Sequence, residues 1–270
     1  MAALQEHTRA KRLQASAIDT VDGLALSLVL DSLVFQNADG TFSPWLATEW
    51  EVSDDALTYT FTLRDDVVFH DGEAFDAAAV KANFDRIADP ATESAQAAAL
   101  LGGEFYAGTE VIDDHTVAVS FTQPYAPFLQ AASTALLGFY SPAVLASDAD
   151  KLKAGGPDVT VGTGPFVLTD YTPDQEIIYT RNDDYAWGPD GAGAAAFETL
   201  RVMIVPESSV RAGVVSSGEA DLATDLAPNT VSTIDESIRI DSIEYPGLPY
   251  SPYLNEAYGV FADANVRAAF

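Results

Sequence analysis

The sequence predicts an α/β, or mixed α+β, protein, and three observations carry that prediction. Leu57, Tyr59, Phe61 and Leu63 alternate with Thr58, Thr60 and Thr62, the period of two that gives a strand one apolar face. Val80, Phe84 and Ile87 fall at i, i+4 and i+7, the stripe of an amphipathic helix. Strand-like runs such as Leu200 to Val205 then resume beyond that helical stretch, so strands and helices are mixed along the chain.

Taken in order, Asp22 to Phe35 is nearly continuous apolar, with leucines at mixed spacings. It reads as a helix followed by a turn or short strand before the Asp39-Gly40 turn. Pro44 to Trp50 reads as an irregular, packed segment. Beyond the strand at Leu57 to Leu63, the alternation continues through Val67 to Phe69 and ends at the Asp71-Gly72 turn. Asp76 is placed to cap a helix running to about Ile87, because its carboxylate can accept the free N–H groups of the first turn. Pro90 stops that helix. A second, alanine-rich helix is expected over Glu93 to Leu101, ended by Gly102-Gly103.

Thr116 to Phe121 reads as a strand with Val117, Val119 and Phe121 on one face, and Pro127 opens a short helix. Phe166 to Leu168 and Glu176 to Thr180 read as strand, turn, strand. Leu200 to Val205 reads as a buried strand. Ser208 is expected to cap a helix that turns Val210 and Val214 inward and closes at Gly218. Ile238 to Ile243 is expected to be a further strand.

Composition narrows the function. The 270 residues are 48 % hydrophobic, enough for a sizeable core in one large domain or two lobes. Net charge is −28, from 41 acidic and 13 basic residues. A nucleic-acid partner needs a basic face to displace phosphate counterions, so that class is excluded, and anionic lipid is disfavoured. No stretch approaches the ~18 consecutive apolar residues of a membrane helix, so direct membrane insertion is not expected. The chain has no cysteine, which removes thiol catalysis, disulfides and thiolate metal sites. The opening MAALQEHTRAKRLQ has neither the apolar run nor the cleavage site of a secretory signal.

Catalytic constellations are hard to find. His7, His70 and His115 lack a partner histidine at i+3 or i+4, so no HExxH-type zinc site is present. His70 and His115 read as surface turn residues. Gly162-Thr163-Gly164 lacks the third glycine of a nucleotide loop. The doublets Asp54-Asp55, Asp65-Asp66, Asp113-Asp114 and Asp183-Asp184 raise a rival from another class, a glycosidase using an acidic pair. Each doublet lies at a strand end, where Asp favours local backbone hydrogen bonds. Asn182, Asp183, Asp184 and Asp190 miss the calcium-loop spacing. No catalytic residue, metal or cofactor is assigned.

A resemblance decides between these readings. SPWLATEWEVSDDALTYTFTLRDDVVFHDGEAFDAAAVKANFDRI, Ser43 to Ile87, closely resembles the signature region of family 5 of the bacterial extracellular solute-binding proteins. These are the oligopeptide-, dipeptide- and nickel-binding components of ABC importers. Later pieces agree in order: DDHTVAVSF from Asp113, VGTGPFVL from Val161, RNDDYAW from Arg181, SSVRAGVVSSGEADLA from Ser208 and YLNEAYGVFADANVRAAF from Tyr253. The resemblance covers about Leu13 to Phe270. At the start, MAALQEHTRAKRLQ stands where the family opens with a strand, and only Ala15 to Asp22 looks like the loop that follows.

The resemblance implies a periplasmic-binding-protein-like class II lobe. Residues 1–31 and 160–255 would form its discontinuous sheet domain and residues 32–159 an inserted subdomain. Residues 256–270 would start the crossover to a second lobe that is largely missing, so the chain resembles a truncated fragment. It implies capture of a peptide-like solute outside the membrane, at the periplasm or cell surface, and delivery to the ABC permease subunits. The alternative is a nickel- or other small-solute-binding member. Nickel is the weaker choice, since DPATESAQ and TALLGFYSP carry no Arg or His where nickel-binding members carry arginines. The first-lobe candidates for the cleft are Asp19, Thr20, Val21 and Asp22, then Tyr140 at the end of Leu137 to Tyr140, and Thr163. Tyr140 can stack on a peptide plane and donate a hydrogen bond. The family's anchors for peptide termini lie mostly in the second lobe, so weak peptide binding and self-association are expected of this chain alone.

Overall fold

The computed structural model describes residues 12–17, 26–146, 151–152, 155–242, 259–263 and 265–266. Within the chain, contacts gather Met1–Ile234 into one compact unit and Asp235–Phe270 into another. The strands of the first unit are β1 (Arg12–Ala17), β2 (Val34–Gln36), β3 (Phe42–Pro44), β4 (Ala47–Val52), β5 (Thr58–Leu63), β6 (Tyr106–Asp113), β7 (Thr116–Phe121), β8 (Phe166–Thr172), β9 (Glu176–Arg181), β10 (Thr199–Ile204) and β11 (Leu222–Ala223). Its helices are α1 (Ala77–Ala88), α2 (Ala95–Leu100), α3 (Phe128–Ala131), α4 (Pro142–Leu145), α5 (Ser208–Ser216) and α6 (Pro228–Val231).

A five-stranded sheet has the order β11-β1-β10-β9-β8. β1 is parallel to both its neighbours, in register Arg12↔Thr199 to Ala17↔Ile204 with β10, while β9 runs antiparallel to both of its neighbours, β10 and β8. β1 corrects the sequence reading that put no strand in the opening segment. RLQASA shows no alternation of large apolar residues. It is a strand because β10 and β11 supply backbone partners on both sides, which no local pattern announces.

The second sheet, β4-β5-β7-β6, is antiparallel throughout. β5 has the predicted burial, with Tyr59, Phe61 and Leu63 inside and the threonines half-buried on the other face. β4 overturns the irregular reading of Pro44 to Trp50. Only Ala47 of its six residues is fully buried, so the apolar alternation that marks a strand is nearly absent. β6, which the sequence reading passed over, is an edge strand with one buried residue, Thr109. β2 and β3 form a separate two-stranded ribbon, and the helical turn expected after Asp22 is seen at residues 26–29.

α1 begins where predicted, with the Asp76 carboxylate accepting the Ala79 N–H at 2.7 Å. It buries Ala77, Ala79, Val80, Asn83 and Phe84. Phe128 of α3 sits at the centre of this core, its ring within 5.0–6.5 Å of those of Tyr59, Phe61, Phe84 and Phe121 in edge-on contacts, the favoured geometry for aromatic pairs.

Three further expectations change. The second helix starts at Ala95, because Glu93 adopts a left-handed backbone (φ 56°) that closes the short turn before it. In α5 the cap position belongs to Glu207, and the Ser208 hydroxyl instead accepts the Ala227 N–H at 2.8 Å. That helix turns Arg211 and Ala212 inward and leaves Val210 51 % exposed, so its buried face lies one position away from the predicted one. Residues 238–242 are not a strand. Arg239 pairs with Asp241 and Ile240 is exposed, and the β-branched residues that suggested a strand meet no sheet there.

Phe61→Ala removes a fully buried ring from the centre of the antiparallel sheet and is expected to cost roughly 3–5 kcal/mol. Val52→Ala changes a side chain that is 44 % exposed and is expected to cost less than about 0.5 kcal/mol. Urea unfolding of the two variants beside the parent checks both values.

Candidate functional site

In an open sheet, ligands bind outside the carboxyl ends of the parallel strands, where the chain leaves each strand and side chains are free of the ladder. Here the parallel trio is β11-β1-β10. β10 ends into Val205, Pro206 and Glu207, and β11 into Thr224 and Asp225. The segment after β1 carries Asp19, Thr20, Val21 and Asp22, which lie outside the described residues.

The two described exits are tied together by a buried arginine. Arg211 of α5 donates to the carbonyls of Val205 and Pro206 (both 2.8 Å), Thr224 (3.1 Å) and Asp225. Its flat array of donors can satisfy several carbonyls at once, which fixes the ends of β10 and β11 relative to each other. Sequence reading missed this residue. Its signal is an Arg three positions into a short helix otherwise made of small and β-branched residues.

A second constellation lies where the chain passes between the two large sheets. Gly164 N donates to Val29 O at 2.8 Å, and His70 N donates to Gly162 O at 2.8 Å. A Cβ on Gly162 would run into the Val29 carbonyl oxygen, and one on Gly164 would lie 2.7 Å from the Leu28 carbonyl oxygen. Residues 162–164 therefore cross residues 28–30 backbone against backbone, which glycine alone permits. His70 is not the surface residue expected. Its Nε2 lies 2.9 Å from Gly164 O, and burial holds its pKa below the ordinary histidine value against the opposing pull of that bond and of Asp71. The Asn182 amide also donates to Gly164 O, at 3.2 Å.

Thr163, between the two glycines, is fully buried. Its hydroxyl donates to Asp31 Oδ2 at 3.1 Å, and its carbonyl accepts the Trp187 indole N–H at 3.0 Å. Asp31 also accepts that indole N–H at 3.0 Å and the Tyr185 hydroxyl at 3.3 Å. It is completely buried, and desolvation outweighs these hydrogen bonds and raises its pKa to about 7. The only hint of this in sequence is one Asp inside the apolar run VLDSLVF.

Tyr140 lies beside this crossing. Its backbone is held at both ends by Asn83, through Tyr140 N to Oδ1 at 3.0 Å and Nδ2 to Tyr140 O at 2.9 Å. Its half-buried ring packs against the core of the five-stranded sheet, and burial pushes its hydroxyl pKa up. The structure thus brings Tyr140 and Thr163 to one region of the fold, with Thr163 committed to Asp31.

The acidic doublets serve turns. Asp55 accepts from Ser53 and Leu57, Asp113 from the His115 N–H, and Asp66 and Asp183 pair with Arg64 and Arg181 two residues earlier. These bonds hold the carboxyls of Asp55, Asp66 and Asp113 below the ordinary value, the opposite of what a general acid needs. Among the described residues, no group of three or more His, Asp or Glu is placed to hold a metal ion, and no helix is long and apolar enough to cross a membrane.

The model of the bacterial extracellular solute-binding proteins, family 5 (middle region), matches residues 41–270. The chain belongs to this family. A probable D,D-dipeptide-binding periplasmic protein of Escherichia coli is 30 % identical over 228 residues, which are 83 % of this chain and 42 % of the relative. Among solved structures, NikA from Brucella suis, in complex with Fe(III)-EDTA, is 35 % identical with a TM-score of 0.65, over 77 % of this chain and 42 % of that one. The periplasmic binding protein DppA from Helicobacter pylori, in complex with peptide STSA, is 28 % identical with a TM-score of 0.69, over 82 % of this chain and 48 % of that one. The chain therefore spans less than half the length of these family 5 proteins.

Gly162→Ala forces a methyl group against the Val29 carbonyl and is expected to destabilise the fold by about 3 kcal/mol through overpacking. Gly213→Ala in α5 meets no atom within 4 Å and is expected to stabilise by roughly 0.5–1 kcal/mol, since alanine is the better helix former. Denaturant midpoints of the two variants test the contrast.

Proposed function

We propose that this chain is the first-lobe part of the substrate-binding component of an ABC importer, and that its solute is peptide-like. The observation that carries this reading is the family match over residues 41–270, together with a parallel strand trio whose exits Arg211 holds in register. Relatives named for dipeptide binding and a structural neighbour holding a tetrapeptide favour the peptide class. A nickel-binding periplasmic protein of Escherichia coli is also similar, at 32 % identity over 199 residues. The absence of a metal-holding group among the described residues makes nickel the second reading.

In this proposal the solute meets Asp19, Thr20, Val21 and Asp22 after β1, and Tyr140. Thr163 contributes through its bond to Asp31 rather than by touching the solute. Residues 1–31 with 160–255 form the sheet domain of the lobe, residues 32–159 its inserted subdomain, and residues 256–270 the start of the crossover. The protein works outside the cytoplasm, as the periplasmic names of its relatives suggest, and hands its solute to the permease. It is not an enzyme, a reading favoured by doublet carboxyls held in turns.

Titration of the chain with tri- and tetrapeptides, followed by amide NMR, is the test. Shifts are expected at Tyr140 and at the ends of β10 and β11, with the peptide recovered intact. A response to nickel complexes and none to peptides replaces the solute class, and peptide cleavage overturns the transport reading. Tyr140→Ala is expected to weaken peptide binding about tenfold, the loss of one stacked aromatic contact.

A further inference from the structure

Asp31 is a completely buried carboxyl that bonds three segments at once, burial holds it above its ordinary value, and its position gives that property a mechanical consequence. It follows Val29 and Leu30, which belong to the core of the five-stranded sheet. Tyr185 and Trp187, two of its three partners, belong to the core of the antiparallel sheet. Its third partner, Thr163, is in the connection that returns from one sheet to the other. Gly138 adds to the closeness, since a Cβ there would lie 2.7 Å from Leu30 Cβ and 3.2 Å from the Asp31 carbonyl oxygen. One carboxyl thus joins both crossing connections and the turn after β9.

We propose that Asp31 is a proton-operated brace between the two sheets: neutral, it locks the crossing connections together, and charged, it loosens them. The inference is independent of which solute the protein carries. The chemistry of the partners allows both states. The Trp187 indole can only donate, whereas the hydroxyls of Thr163 and Tyr185 can donate or accept. A neutral acid therefore has an acceptor for its proton, and a charged one has three donors. Three neutral donors do not replace the water lost on burial, and among the described residues no cation pairs with Asp31. Deprotonation consequently strains this joint.

The surrounding titratable and charged groups are few. Tyr185 is held neutral by burial and by Asp31 itself, and Arg64 faces Tyr185. His70 bonds the same connection at Gly164 and titrates below its ordinary range, with Asp71 beside it. Asp71 also bonds the Ser141 hydroxyl.

The direction follows from linkage. With a pKa of about 7 in the folded chain against the ordinary aspartate value of 3.8, the folded chain keeps a proton that the unfolded chain has released between those values. Stability therefore falls as pH rises through that window and levels off above it. The experiment is thermal unfolding between about pH 5 and about pH 8.5 of the parent chain, Asp31→Asn and His70→Gln. The parent and His70→Gln are expected to lose several degrees of Tm across the window. Asp31→Asn is expected to lose none of it, and to melt above the parent at the alkaline end. Fluorescence of Trp187, isolated by Trp45→Phe and Trp50→Phe, is expected to shift with the same midpoint, which a merely space-filling Asp31 does not produce. Parallel pH profiles for the parent and Asp31→Asn overturn the proposal. If Asp31→Asn does not fold, the infrared carbonyl band of a protonated carboxyl decides the matter in the parent. Its loss across the window supports the brace, and its absence throughout refutes it.

Discussion

The backbone crossing at Val29 and Gly164 is the constraint on which the arrangement of the two sheets depends. One connection leaves the five-stranded sheet through residues 26–33 and another returns to it through residues 161–165. Two glycines let them meet with a 2.8 Å hydrogen bond between main chains. Contact that close leaves no room for adjustment by side chains, so what surrounds it must be placed accurately. His70 and the Asn182 amide bond the Gly164 carbonyl and the Trp187 indole donates to the Thr163 carbonyl, while the Thr163 hydroxyl donates to the Asp31 carboxyl.

The chain carries a large excess of acid, yet it handles buried and exposed charge by different means. Exposed aspartates are spent locally, on turns and on arginines two residues away, where water and short-range hydrogen bonds keep them ionised. Arg211 is buried but surrounded by backbone carbonyls, so its charge is met by several dipoles. Asp31 is buried with three neutral donors and has no such compensation, which is why it alone among these residues is placed to change charge state near neutrality.

The exits of the parallel strands are set by long-range pairing. β1 enters the sheet between β10 and β11 although some 180 residues separate it from β10 along the chain. Arg211 then holds the ends of β10 and β11 at fixed spacing. The antiparallel sheet, built on the aromatic core around Phe128, contributes Tyr140 through the hydrogen bonds of Asn83 on α1. The backbone at Tyr140 is thus held by a side chain of the helix packed on the other sheet.

By itself the sequence determined the elements whose pattern is local. The alternation of β5, the cap and stripe of α1, the turns made by aspartate doublets and the family motifs from Ser43 onward are all legible, because each depends on neighbours a few residues away. Tertiary structure alone decided the rest. β1 and β4 lack an apolar alternation and are strands only because of their partners, β10 and β11 on the two sides of β1 and β5 on one side of β4. β6 is polar because it lies at an edge. Val210 faces outward because the buried side of α5 is set by an arginine that seeks carbonyls from two other segments. His70, Thr163 and Asp31 take their character from burial at a crossing of distant segments. A side chain's solvation and hydrogen-bond partners are properties of that crossing, and no window of sequence contains them.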